Sequence, residues 1–254
     1  MTSSQSPQAV VDVTDNKVAQ DKPKSNAVTA WCSAQWKAVL AELVSTTLLV
    51  LFGCMSCIPV EGLTEQSPLY APFGFGFTVM FNIQIFGHLS GAHMNPAVTL
   101  ASVIWGSTSI AVGVAYFLVQ CLGAFIGYGI LIGLSPVDLS LEGICVTLPH
   151  HALTQFQSLG VEIVLTATLT FVCCALWDPV NQHKQDSVPI KFGLTIAGLS
   201  IAGGPLTGAS MNPARTLAPA LWTGMWAFHW VYWAGPFAGA TIAALFYKLV
   251  LLNR

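Results

Sequence analysis

Apolar residues run through the chain in six long, nearly uninterrupted stretches, at about 36–58, 69–89, 109–134, 156–177, 188–206 and 226–252. Each comes close to the roughly 20 residues that a helix rising 1.5 Å per residue needs to cross ~30 Å of hydrocarbon. Six crossings place both termini on one side. Two further stretches, 95–104 and 212–221, are apolar and helical in character, yet their ten residues reach only ~15 Å, half the hydrocarbon thickness. Entering from opposite sides, two such pieces make one composite crossing. Each opens on Asn-Pro-Ala, Asn95-Pro96-Ala97 and Asn212-Pro213-Ala214. Asn is a strong N-cap, Pro suits the first helical position, and the glycine just upstream permits a sharp re-entrant turn.

Composition agrees with this pattern. Only 8% of the 254 residues are charged and 54% are apolar, against roughly a quarter charged in soluble domains, so the chain's solvent is a bilayer. Nine Lys plus Arg against eleven Asp plus Glu leave a net charge of −2 and no basic surplus for a nucleic-acid partner. Residues 1–34, with Asp12, Asp15, Asp21, Lys17, Lys22 and Lys24 among polar residues, read as a disordered tail without the apolar run of a signal peptide. Residues 35–252 are expected to form one membrane-embedded domain. Lys17, Lys22, Lys24, Lys37, Lys184, Lys191, Lys248 and Arg254 all fall on the side shared by the termini. That side is expected to be cytoplasmic, in a membrane that is expected to be the plasma membrane. The opposite connections carry Glu61, Glu65, Asp138 and Glu142 but no basic residue except Arg215. Seven cysteines, five of them in apolar segments (Cys54, Cys57, Cys121, Cys173, Cys174), follow no metal-ligand spacing, and their odd number points to packing thiols rather than a disulfide framework. No metal or cofactor is expected, and no enzymatic chemistry.

The chain is duplicated. Residues 90–101 match residues 207–218 at nine of twelve positions, 117 residues apart. The echo extends outward: Glu42 with Thr46 matches Glu162 with Thr166, Phe75-Gly76 matches Phe192-Gly193, and the glycines and phenylalanine of 123–127 match those of 235–239. Each copy (about 35–134 and 155–252) supplies three crossings and one half-helix. Three is odd, so the second copy is inverted about a pseudo-two-fold axis in the membrane plane, and the two half-helix N-termini meet at the bilayer centre. Each carries about half a positive charge and free N–H donors. Cations and protons are repelled there, while the Asn95 and Asn212 amides can donate to a neutral oxygen. Arg215 lies one turn into the second half-helix, where an unpaired guanidinium costs about 2.5 to 3.5 kcal/mol at membrane depth. It must therefore line water. Its mate in the first copy is Val98.

At these paired boxes the sequence resembles the aquaporin, or major intrinsic protein, family, from about residue 36 to 251. The resemblance implies an all-α membrane protein of six transmembrane helices plus two re-entrant half-helices, assembled in the lipid bilayer as a homotetramer with one pore per protomer. It also implies that Glu42 and Glu162 brace the re-entrant loops by accepting backbone N–H bonds, and that His88 and His93 bond to loop carbonyls. The family's narrowest point, carried over by motif spacing, falls on Phe75, Ser200, Ala209 and Arg215.

Those four positions bear on what passes. Water-selective members resemble this chain at Phe75 but carry His where Ser200 stands, and often Cys where Ala209 stands. A hydroxymethyl in place of an imidazole removes about four heavy atoms and one polar donor from the wall. The aperture widens and admits carbon-backed solutes. Thr216 after Arg215, and Tyr232-Trp233 in the last span, are instead similar to water channels. A water-channel scaffold with a relaxed filter is similar to the insect entomoglyceroporins, which implies passage of glycerol, other polyols or urea together with water. The alternatives are a water-selective channel, or a junctional or adhesion protein with a weakly conducting pore.

Overall fold

The computed structural model describes residues 26–59, 67–139 and 143–252, so most of the expected N-terminal tail lies outside the described residues. Among the described residues the chain forms eight α-helices: α1 (Ala27–Met55), α2 (Tyr70–Ser90), α3 (Pro96–Trp105), α4 (Ile110–Leu134), α5 (Gln155–Trp177), α6 (Val188–Thr207), α7 (Pro213–Thr223) and α8 (Val231–Phe246). A 3₁₀ segment, Pro179–Ser187, links α5 to α6, and a π turn, Tyr247–Leu251, continues α8. Five segments are long and apolar enough to cross a membrane. The 21-residue α2 has the length but is less apolar, because Asn82, Gln84 and His88 interrupt it. Asn82 is buried and donates its amide to the Ser45 carbonyl at 3.0 Å.

Two boundaries differ from the hydropathy reading. Helix α1 begins at Ala27, well ahead of residue 36. Helix α8 begins at Val231 rather than 226, because residues 227–230 form a turn with Phe228 in the left-handed region (φ 52°) and the Trp226 and His229 rings packed 4.7 Å apart.

Helices α3 and α7 are the short pieces, of 10 and 11 residues, and both use the predicted cap. Asn95 Oδ1 accepts from the Ala97 amide at 2.8 Å and Asn212 Oδ1 from the Ala214 amide at 3.0 Å, with proline at the first turn. Both end on a left-handed glycine, Gly106 (φ 101°) and Gly224 (φ 74°).

Duplication is visible in the helix crossings. On α4, Gly123 and Gly127 lie against the Leu43 and Thr47 carbonyls of α1, while on α8, Gly235 and Gly239 lie against Glu162 and the Ile163 carbonyl of α5. At the α2–α6 crossing, Gly76 and Gly193 face each other so closely that a Cβ on Gly76 would stand 2.5 Å from the Gly193 carbonyl oxygen. Small residues let backbones approach where lipid supplies no hydrophobic drive between helices. The outward faces are apolar instead: Phe156 is 78% exposed, Ile110 74% and Val164 64%. An apolar exterior of this kind fits lipid, not water.

Candidate functional site

The two re-entrant turns have the same strained backbone. Ala92 and Met94 in the first, and Ala209 and Met211 in the second, all take positive φ between 45° and 53°, a region that disfavours residues with a Cβ. Each turn is held by a buried carboxylate. Glu42 Oε1 accepts from the Ser90 hydroxyl (2.7 Å) and the His93 amide (2.8 Å), and Oε2 from the Met94 amide (2.8 Å) and the Gln120 side chain (2.8 Å). Glu162 Oε1 accepts from the Thr207 hydroxyl (2.7 Å) and the Ser210 amide (3.0 Å), and Oε2 from the Met211 amide (2.8 Å). Both side chains are fully buried. These charge-assisted bonds satisfy donors that the loops could not otherwise pair away from water.

The N-termini of α3 and α7 meet. Asn95 Nδ2 donates to the Met211 carbonyl at 2.8 Å, and Asn212 Nδ2 donates to the Met94 carbonyl at 2.8 Å. Each amide thereby uses one of its two N–H donors to tie the opposite box, and its oxygen to cap its own helix. Both asparagines line a cavity of about 640 Å³, toward which the second N–H is available.

Phe75, Ser200, Ala209 and Arg215 line the same cavity. Helix α2 supplies Phe75, α6 supplies Ser200, the second re-entrant turn supplies Ala209, and α7 supplies Arg215. The guanidinium carbon of Arg215 sits 4.9 Å from the centre of the Phe75 ring, a cation–π distance. Its Nη1 donates to the Cys145 carbonyl at 2.7 Å. Ser200 is half-buried, and its hydroxyl has no protein partner among the described residues.

A sequence profile described as Major intrinsic protein matches residues 29–247. The chain belongs to the major intrinsic protein family. Members of this family are channels, not enzymes, and the chain is an integral membrane protein. It is 40% identical to Aquaporin-4 of Mus musculus over 223 residues, which cover 87% of this chain and 69% of that one. It is 36% identical to the lens fiber major intrinsic protein of Gallus gallus over 227 residues, covering 87% and 84%. The X-ray structure of the aquaglyceroporin from Plasmodium falciparum superposes with a TM-score of 0.74 at 23% identity, covering 85% of this chain and 97% of that one, which establishes the same fold.

Several sequence expectations for this family member need correction. Among the described residues neither histidine bonds to a loop carbonyl: His93 Nδ1 pairs with the Thr99 hydroxyl at 3.1 Å and its ring packs edge-on to Tyr116, while His88 is exposed in the last turn of α2, outside the Glu42 network. The cysteines are not all packing thiols. Cys54, at the end of α1, is disulfide-bonded to Cys145, 91 residues away, with Cα atoms 5.3 Å apart. Counting cysteines missed this bond because an odd total says nothing about a single pair among free thiols. Cys145 was not a candidate from sequence, yet its carbonyl receives Arg215. Trp177 and Phe192 also line the cavity without having been singled out as lining residues. The repeat offset alone could have found Phe192, as the mate of Phe75.

Proposed function

We propose that this channel passes glycerol, and other small polyols or urea, together with water, and excludes ions and protons. The observation that carries the reading is Ser200: a small residue on the wall of the cavity that Phe75 and Arg215 also line, its hydroxyl without a protein partner among the described residues. Phe75 gives the carbon edge of a polyol an apolar face, and Arg215 and Ser200 take its hydroxyls. Exclusion of cations follows from two helix N-termini and one guanidinium at the same cavity. The filter thus consists of Phe75, Ser200, Ala209 and Arg215, behind it stand the two asparagines, and the loops are braced by Glu42 and Glu162.

Assembly as a homotetramer follows the family resemblance, and cytoplasmic termini accord with the distribution of basic residues and with the disulfide, which then lies on the outer, oxidising side. A water-selective channel is the second reading. It is favoured by the 40% identity to a protein named Aquaporin-4 and by Thr216, whose hydroxyl is bonded to Thr147 at 2.8 Å on a water-channel scaffold.

Stopped-flow flux in proteoliposomes tests the choice. Wild type conducts both water and glycerol, and Ser200→His suppresses glycerol far more than water. A folded protein that conducts water but no glycerol establishes the second reading, and one that conducts neither points to a junctional role.

A further inference from the structure

The last carbonyls of a helix have no partner within it, and at the end of α3 every one of them is taken. The Ser102 carbonyl accepts from the Gly106 and Ser107 amides at 3.0 and 3.1 Å, and the Val103 carbonyl accepts from the Gly106 amide at 3.1 Å. The remaining two, of Ile104 and Trp105, accept from the Nζ of Lys248 at 2.7 and 2.8 Å. That lysine is half-buried in the π turn that continues α8, and a cation at this place also faces the negative end of the α3 dipole. Its neighbour Tyr247 donates to Asp178 Oδ2 at 3.2 Å, so the turn that carries Lys248 is itself anchored to the cap of the Pro179–Ser187 segment.

Ala240 and Ala244 precede Lys248 at four-residue spacing along α8, and they share a buried cluster with Ala97 and Ala101 of α3. Small side chains let the two backbones approach. One turn further on, α8 passes the end of the shorter helix, and there a long cationic side chain meets carbonyls instead of methyl groups. The 112-residue step that relates Gly123 to Gly235 carries Pro136 onto Lys248. Pro136 lies beyond the end of α4, and among the described residues no cationic side chain donates to the last carbonyls of α7. As with Arg215 and Val98, the cation has no counterpart in the other copy.

Helix α3 is a rod of ten residues, ~15 Å long. Asn95 fixes its N-terminus through the Met211 carbonyl, and the alanine contacts along its side have no directional bonds to oppose tilting. Its axis is therefore set by its two ends. Freed at the C-terminal end, the rod pivots about Asn95 and turns that amide away from the cavity.

We propose that Lys248 is a positioning residue for permeation: it seats the C-terminal end of α3 and thereby holds Asn95 opposite Asn212 on the cavity wall. Ser200 and Arg215 stand on other elements, so the seat governs how fast water and polyol pass and not the choice between them. The inference rests on reading the cavity as the permeation route and requires no particular permeant.

Wild type, Lys248→Met, Lys248→Gln and Lys248→Arg, matched for folded protein in proteoliposomes, would be compared for water and glycerol flux by stopped-flow and for amide hydrogen exchange by mass spectrometry. Lys248→Met keeps an unbranched stem and removes every donor. It is expected to lower both fluxes by the same factor, about twofold or more, and to speed exchange in residues 96–105 while residues 213–223 exchange as in wild type. Lys248→Arg, a cation with donors for both carbonyls, restores flux and protection. Lys248→Gln falls between, and serves if Lys248→Met fails to fold. Wild-type fluxes in folded Lys248→Met or Lys248→Gln overturn the proposal. So does a Lys248→Arg protein as slow as Lys248→Met, or a loss of protection spread equally over both half-helices. A wild type that conducts water but no glycerol removes the polyol reading and leaves this test standing on water flux, whereas one that conducts neither removes both.

Discussion

Arg215 donates from Nη1 to the carbonyl oxygen of Cys145 at 2.7 Å, and Cys145 is itself tied through sulfur to Cys54 at the end of α1. The guanidinium is thus positioned by a loop that the rest of the fold holds covalently. That loop is also pinned by Tyr128, which donates to the Ile144 carbonyl at 2.8 Å, and Cys145 takes a positive φ of 65° there. Removing the bond by Cys54→Ala with Cys145→Ala should cost about 2–4 kcal/mol, read as a lowered thermal midpoint in detergent. Urea and glycerol flux should rise relative to water as Arg215 loses its fixed acceptor. An unchanged flux ratio would show that the loop keeps its place without the bond.

The Cys57 thiol lines the same cavity close to Arg215. Burial pushes its pKa up, and the nearby guanidinium only partly opposes this. A raised thiol pKa means that little thiolate is present at neutral pH and that the fraction grows as pH rises. Alkylation should therefore accelerate by about tenfold per pH unit through pH 8.5, since the thiolate is the nucleophile. Mercurial block should survive the absence of a thiol at Ala209 and disappear in Cys57→Ser. A rate that levels off below pH 8 would contradict this.

Both buried carboxylates accept bonds on both oxygens, so replacing one oxygen by an amide sets donor against donor. Glu42→Gln and Glu162→Gln should each destabilise the protein by about 1–3 kcal/mol and lower water flux, because the turn carrying Asn95 or Asn212 loses an acceptor. Thermal melting and flux of the two variants should fall together. Wild-type stability in either variant would mean that the loop N–H groups find other partners.

Gly76 and Gly193 leave no room for a Cβ at the α2–α6 crossing. Gly76→Ala should force the helices apart at a cost of about 1–3 kcal/mol, seen as a lower melting point and reduced recovery of folded protein. Gly133, around which space is open, is the control: Gly133→Ala should melt like wild type.

The number of crossings, the Asn-Pro caps and the inverted duplication, though not the starts of α1 and α8, were legible in the chain itself. Each is local or periodic: hydropathy over twenty residues, a cap set by three, an offset repeated along the line. From the offset alone it follows that two short helices enter from opposite faces, and the resemblance to the family, not the offset, named Phe75, Ser200, Ala209 and Arg215 before any coordinates. Other relationships belong to tertiary structure. Asn95 bonds to the carbonyl before the other box, 116 residues away, Cys54 pairs with one cysteine among six others, and Arg215 finds a carbonyl 70 residues upstream. The second partner in each such contact carries no pattern of its own. A backbone carbonyl is the same group in every residue, and which one faces a guanidinium depends on how helices cross at glycines such as Gly76 and Gly193.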